Sequence, residues 1–275
     1  MQARSALFDL YGDHLRSRGG RAPVAALVKL LTPLDIAPPA VRTAVSRMVR
    51  QGWLAPLRLP GGPGYTITPR AARRLDEAAA RIYRTGKISW DGRFDLIVLT
   101  GPQVRRDRQR LWDHLAFLGY GRLDEQTWVA PRPGEQIDNL LTDAGVHYER
   151  FNATHTGGTP AAMGLVRRAW DLAALGRAYE QFVAEQRALL GEVTSRSSDR
   201  DAYAARFRLV HAWRTFLFSD PQLPPALLPD RWPGVTAANF FDRHAARLRP
   251  AADRYVEHCL GLSTRTGKRA KGRTT

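Results

Sequence analysis

"PPAVRTAVSRMVRQGWLAPLRLPGGPGYTITP" spans Pro38–Pro69, and its periodicity changes half-way. Up to Arg50, apolar residues recur at Val41, Ala44, Val45, Met48 and Val49, the i, i+3, i+4, i+7, i+8 stripe of an amphipathic helix. Proline suits the first turn of such a helix and Gly52 its end. "WLAPLRL" and "YTITP" then alternate as strands, a hairpin turned at "PGGPG". The helix face opposite the stripe carries Arg42, Thr43, Ser46, Arg47 and Arg50. Guanidinium groups read guanine edges bidentately, and small hydroxyls suit bases or phosphates.

The flanking sequence supplies the frame for that helix. Leu7, Leu10, Tyr11, His14 and Leu15 follow the 3.6 period and stop at Gly19-Gly20; Pro23 opens a second helix with Val24, Leu27, Val28 and Leu31 inward. "TPLDIAPP" (32–39) breaks it, and "RAARRLDEAAARIYR" (70–84) is strongly helix-forming. Helix, helix, helix, hairpin, helix is the order of a winged helix-turn-helix, whose third helix lies in the major groove while the hairpin flanks it on the backbone. The expected groove contacts are Arg42, Thr43, Ser46 and Arg47, with Arg50 and Arg58 on phosphate.

After a linker-like "TGKISWDG" (85–92), the order becomes βαββαβ. "RFDLIVLT" is a strand, and a helix follows over 103–118 with Val104, Leu111, Leu115 and Leu118 inward. "GRLDEQTWVAP" is a hairpin-like pair, "EQIDNLLTDAG" a short helix and "VHYERFNA" a last strand. This is the ferredoxin-like pattern, an antiparallel sheet covered by helices on one face. From Thr159 to Leu262 only helical patterns occur. The expected fold class is therefore α+β multidomain. A winged helix-turn-helix occupies 1–84, a ferredoxin-like middle domain 85–155 and an all-helical C-terminal domain 156–262, with a basic disordered tail at 263–275.

Charge follows the same divisions. The 275-residue chain has a formal net charge of +16, made of +9 in 1–84, −1 in 85–155, +3 in 156–262 and +5 in 263–275. Cations gathered at the two ends fit a polyanionic partner, because neutralising phosphates releases counterions. Cys259 is the single cysteine and the seven histidines show no ligand spacing, so neither a disulfide framework nor a metal is expected. No secretory signal pattern and no apolar run of membrane-spanning length appear, which fits a cytoplasmic protein with no membrane partner. No nucleophile–base–orienter set and no glycine-rich cofactor loop is present, so no enzyme and no cofactor is expected.

The residues just quoted resemble the PaaX-like transcriptional repressors, the phenylacetic acid catabolism regulators. "VRTAVSRMVRQGWL" (41–54) is similar to that family's recognition helix and first wing strand. "SWDGRFDLIVLT" and "LAFLGYGRLDEQTWVAPRP" resemble its middle domain, and "FLFSDPQLPPALLPDRWPG" (216–234) its C-terminal block. The resemblance implies a homodimeric repressor of a catabolic operon, released from double-stranded operator DNA by an aryl-acetyl-CoA such as phenylacetyl-CoA. At the wing tip, where the family tends to carry a basic residue, 60–64 read "PGGPG", which leaves Arg58 to phosphate work.

An acyl-CoA effector needs cations for phosphates, stacking surfaces and an apolar slot. Two places offer them: Arg105 and Arg106 at the start of the middle-domain helix, and Arg208, His211 and Arg214 beside Trp213. Two other readings compete with a sensing repressor. One is a metal-dependent nuclease or RNA-processing protein built on the middle domain, using Asp91 or Asp95. The other is a non-sensing architectural DNA binder with a basic tail.

Overall fold

Val41, Ala44, Val45 and Met48 are buried, and they fix the third helix by one stripe. The computed structural model describes residues 1–60, 62–83, 90–100, 105–134, 137–194 and 196–262, with only the backbone described at 105–107. In chain order the elements are α1 (Ala3–Leu10), β1 (Arg21–Pro23), α2 (Val24–Leu31), α3 (Pro38–Arg50), β2 (Leu54–Leu59), β3 (Gly62–Ile67), α4 (Pro69–Ile82), β4 (Arg93–Leu99), α5 (Arg105–Phe117), β5 (Gly121–Arg122), β6 (Thr127–Ala130), α6 (Ile137–Asp143), β7 (Tyr148–Thr154), α7 (Gly158–Ala169), α8 (Leu172–Gly191), α9 (Asp199–Trp213) and α10 (Pro233–Leu260). The class is mixed α+β with two antiparallel sheets. The chain divides into two compact units, the first made of 1–79, 189–211 and the stretch from Arg243, the second of 80–188 and 212–242. The helical stretch expected as one domain at 156–262 thus contributes to both units.

Unit 1 begins with α1, which continues through a π-helical turn (Tyr11–Leu15) and a 3-10 turn (Arg16–Arg18) to Gly19, whose φ of 84° ends it. α3 starts at Pro38 and stops at Gly52, which has φ 71°. Gly52 N–H donates to Val49 O (3.0 Å) and Trp53 N–H to Met48 O (2.9 Å), the paired bonds of a Schellman cap. Thr68 ties that cap to the next helix. Its hydroxyl donates to Gly52 O at 2.8 Å and accepts the Ala71 N–H at 3.3 Å, capping α4 just ahead of Pro69.

The hairpin is one strand larger than the sequence indicates. β1 pairs with β3, Arg21 opposite Thr66, so the sheet order is β1-β3-β2. Pro23, expected to open the second helix, is instead the last residue of β1 and the N-cap of α2. The turn is also tighter than "PGGPG": β3 already starts at Gly62, and Pro63 pairs with Arg58 beyond the end of β1, where a missing N–H breaks no ladder bond. Gly64 faces β1 and β2 at once, and a Cβ there would lie 2.7 Å from Ala22 O and 2.6 Å from Leu59 Cδ1. Gly64→Ala is therefore expected to lower stability by about 1–3 kcal/mol, read from chemical denaturation, with hydrogen-exchange protection lost first at Ala22 and Tyr65.

The core of unit 1 joins Leu7, Leu10, Leu27, Leu30, Val41, Val45 and Met48 to Tyr203 and Phe207 of α9 and to Ala252 and Val256 of α10. Arg206 lies inside it, 2% exposed. Its guanidinium makes a bidentate pair with Asp13, and its Nε–H donates to Ala245 O at 3.2 Å. Each of its three nitrogens thus donates to a carboxylate or carbonyl oxygen, and pairing of that kind is what allows a charge to remain there.

Unit 2 is built on a four-stranded sheet of order β5-β6-β4-β7, antiparallel throughout. Ile97, Leu99, Trp128 and Ala130 pack on one face against Leu111, Leu115, Ile137 and Leu141 of α5 and α6. The opposite face is covered as well, with Phe94 and Val129 against Ala162 and Val166 of α7 and Leu223 and Leu227. One-sided cover was expected. The two-sided cover follows from β4, which places apolar side chains on both faces.

Candidate nucleic-acid interface

Burying one stripe of α3 leaves Arg42, Thr43, Ser46, Arg47 and Arg50 on its other side, all five exposed, and Arg58 is exposed on β2. Positions 42, 43, 46, 47 and 50 share one helical face. Among the described residues none of these six side chains takes a hydrogen-bond or ion-pair partner. Other arginines of the unit are engaged: Arg16 with Asp76, Arg18 with Asp253 at 2.9 Å, Arg254 with Asp199 at 2.6 Å. The α3 face thus presents three guanidiniums and two hydroxyls with their donors unused, on a helix held rigid from behind. Arginine and hydroxyl donors so arranged are chemically suited to base edges and phosphates.

Arg70 and Trp53 were not singled out by the sequence. The Arg70 guanidinium sits 5.1 Å from the Trp53 ring centroid, and Trp53 meets Phe8 edge-on at 5.1 Å. A cation at the first turn of a helix that follows a hairpin strand is the signal that points to Arg70.

The expected effector residues have other surroundings. Arg208 pairs with Asp35 at 3.2 Å and donates to Pro33 O. His211 Nδ1 lies 2.6 Å from the Asp9 carboxylate. Both belong to unit 1, whereas Trp213 and Arg214 belong to unit 2. The Trp213 ring is buried, stacked on Phe241 at 4.9 Å, and its indole N–H donates to Ile82 O at 3.1 Å. Arg214 is half-buried and has interactions within the protein. Arg105 and Arg106 start α5, and their side chains lie outside the described residues, as do 84–89 of the linker and the basic tail from 263.

The carboxylates required by a nuclease reading are engaged. Asp95 is 5% exposed and accepts the Tyr120 hydroxyl and the Arg150 Nε–H, the latter at 2.8 Å. Arg150 also bridges to Asp138 at 2.5 Å. Burial, and then the bond to Asp95, push the Tyr120 hydroxyl well above the ordinary phenol range, so it remains a donor to that carboxylate. Asp91 accepts the Arg93 N–H at 3.0 Å in a turn. Among the described residues no three His, Cys, Asp or Glu side chains gather as metal ligands, and no helix is long and apolar enough to cross a membrane.

Three segments match the profiles of one family. Residues 2–70 match the PaaX-like protein, 87–163 the PaaX protein central Cas2-like domain, and 170–258 the PaaX-like protein C-terminal domain. The transcriptional repressor PaaX of Escherichia coli (strain K12) is 30% identical over 267 residues, covering 92% of this chain and 82% of the relative. Among solved structures, an uncharacterized protein, Rv0674, from Mycobacterium tuberculosis superposes with a TM-score of 0.60 at 22% identity, over 92% of this chain and 98% of that one; at that identity the likeness bears on the fold. With all three segments matched in order and a curated relative aligned over nearly the full length, this chain belongs to the PaaX-like family.

Proposed function

We propose that the chain is a ligand-responsive transcriptional repressor that binds operator DNA as a homodimer and is not an enzyme. In this reading residues 1–84 act as a winged helix-turn-helix domain and 85–155 as a ferredoxin-like one, followed by helical 156–262. α3 enters the major groove, Arg42, Thr43, Ser46 and Arg47 meet base edges, and Arg50 and Arg58 meet phosphates. The observation that carries the reading is the α3 face, with five exposed polar side chains and no internal partner. The E. coli relative, a transcriptional repressor by name, supports it. The two-fold symmetry of a dimer sets half-sites about one helical turn, or a multiple of it, apart.

The effector is an aryl-acetyl-CoA or related acyl-CoA, in keeping with the family. A gel-shift with the promoter beside this gene tests both halves: the protein retards that fragment, and phenylacetyl-CoA or another thioester from a panel releases it. Retardation that no thioester affects removes the effector half. No retardation at all removes the whole reading. Phosphate contacts carry a separate signature, the salt dependence of affinity. Arg50→Ala and Arg58→Ala are each expected to make the slope of log K against log salt shallower by about 1, with sequence preference retained, in anisotropy titrations from low to physiological salt.

A further inference from the structure

Unit 2 contains a cleft of about 580 Å³ that no expected site includes, a volume within the usual range for small-molecule sites. Its walls are the end of α7, the start of α8 and the segment from Pro229 to Pro233. Arg167, Arg168 and Arg177 line it, together with the indoles of Trp170 and Trp232. Arg167 and Arg177 are exposed and have no hydrogen-bond or ion-pair partner among the described residues, whereas the field of Arg168 already bears on Asp124. Of the two carboxylates in the lining, Asp171 is turned to cap α8, accepting the Ala174 N–H at 2.8 Å. Glu180 is left as an acceptor.

Both indoles are held in place. The Trp170 ring lies where a Cβ on Gly121 would be 2.5 Å away, and Trp232 fills the space left by Gly176 and Gly234. Behind Trp232 stands Tyr179, edge-on at 6.0 Å, whose hydroxyl donates to Asp220 at 2.6 Å. Arg231, the residue before Trp232, has a left-handed φ of 55°, a conformation with a steric cost for a side chain of that size.

We infer that this cleft binds the phosphoadenosine end of an acyl-CoA, with phosphates on Arg167 and Arg177 and the purine against the indoles. The chemistry matches part by part. Unpartnered guanidiniums suit phosphate oxygens, indole faces suit a flat heteroaromatic ring, and Glu180 suits its exocyclic amine. The assignment deepens the effector reading above and rests on it for the identity of the ligand.

The test is calorimetric titration of the full chain with phenylacetyl-CoA and with adenosine 3′,5′-bisphosphate. Wild type is expected to bind both, the bisphosphate competing with the thioester. Arg167→Ala and Arg177→Ala are each expected to weaken both ligands about tenfold or more, with unchanged circular dichroism and melting. If the thioester binds wild type and both variants equally, or the bisphosphate fails to compete, the cleft is not the site and the effector reading survives. If wild type binds neither ligand, cleft and effector reading fall together.

Discussion

Arg206→Ala is expected to lower the stability of unit 1 by about 3–5 kcal/mol. The guanidinium is 2% exposed and meets Asp13 through two bonds. Removing it takes both guanidinium bonds from a carboxylate whose side chain is only 7% exposed and the Nε–H bond from Ala245 O. The loss comes mainly from the uncompensated charge, so the double variant Asp13→Asn with Arg206→Met is expected to recover a large part of it. Urea denaturation, with hydrogen exchange to locate the loss at α1 and α9, measures both. A cost under about 1 kcal/mol for Arg206→Ala would mean that the pair behaves as a solvent-screened surface bridge and does not hold the C-terminal helices to the N-terminal ones.

The second large effect is on pH dependence. His14 is 1% exposed, between the Tyr203 and Phe207 rings. Its imidazole is pushed down to about 4, chiefly by burial, with Asp13 and Asp253 opposing the shift and Arg206 and Arg18 adding to it. Asp13 lies 3.2 Å from Nε2, although that nitrogen has no well-aligned hydrogen bond. The folded value lies below the unfolded one, so the unfolded chain holds more protons between pH 6.5 and 4. Stability is then fully present above about pH 6.5 and declines as pH falls through that window, by on the order of 3 kcal/mol. Urea midpoints from pH 7.5 to 4 are expected to show the decline, and His14→Asn to flatten it even though its starting stability is lower. A wild-type profile parallel to that of His14→Asn would show that His14 titrates normally.

Several of these features were legible in the sequence and several were not, for physical reasons. The α3 stripe and its exposed face follow directly from the 3.6 period, because a helix of 13 residues repeats its pattern enough times to be unambiguous. β1 is three residues, "RAP". It has no period of its own and exists only because β3 offers an edge, so the proline in it reads as a helix start. Tyr203, Phe207 and Val210 recur at helical spacing along α9 and are buried, but a stripe does not name its partner. That Tyr203 and Phe207 share a core with α1–α3 is a tertiary fact. Arg206 falls on that apolar stripe, three residues after Tyr203, a signal that the sequence reading passed over. Trp213 illustrates the converse: an aromatic beside arginines reads as a ligand surface, while its ring lies in the aromatic core with its N–H already bonded. The cleft by Trp232 is formed by segments far apart in sequence, so no local pattern announces it.

The central claim is that the exposed face of α3 reads DNA sequence. Anisotropy titrations of wild type and Arg47→Ala against the operator and a scrambled duplex, at one fixed salt concentration, test it most directly. The account predicts a loss of about 1–3 kcal/mol on the operator, a much smaller change on the scrambled duplex, and hence a narrowed preference between them. Operator affinity and preference both equal to wild type would contradict it.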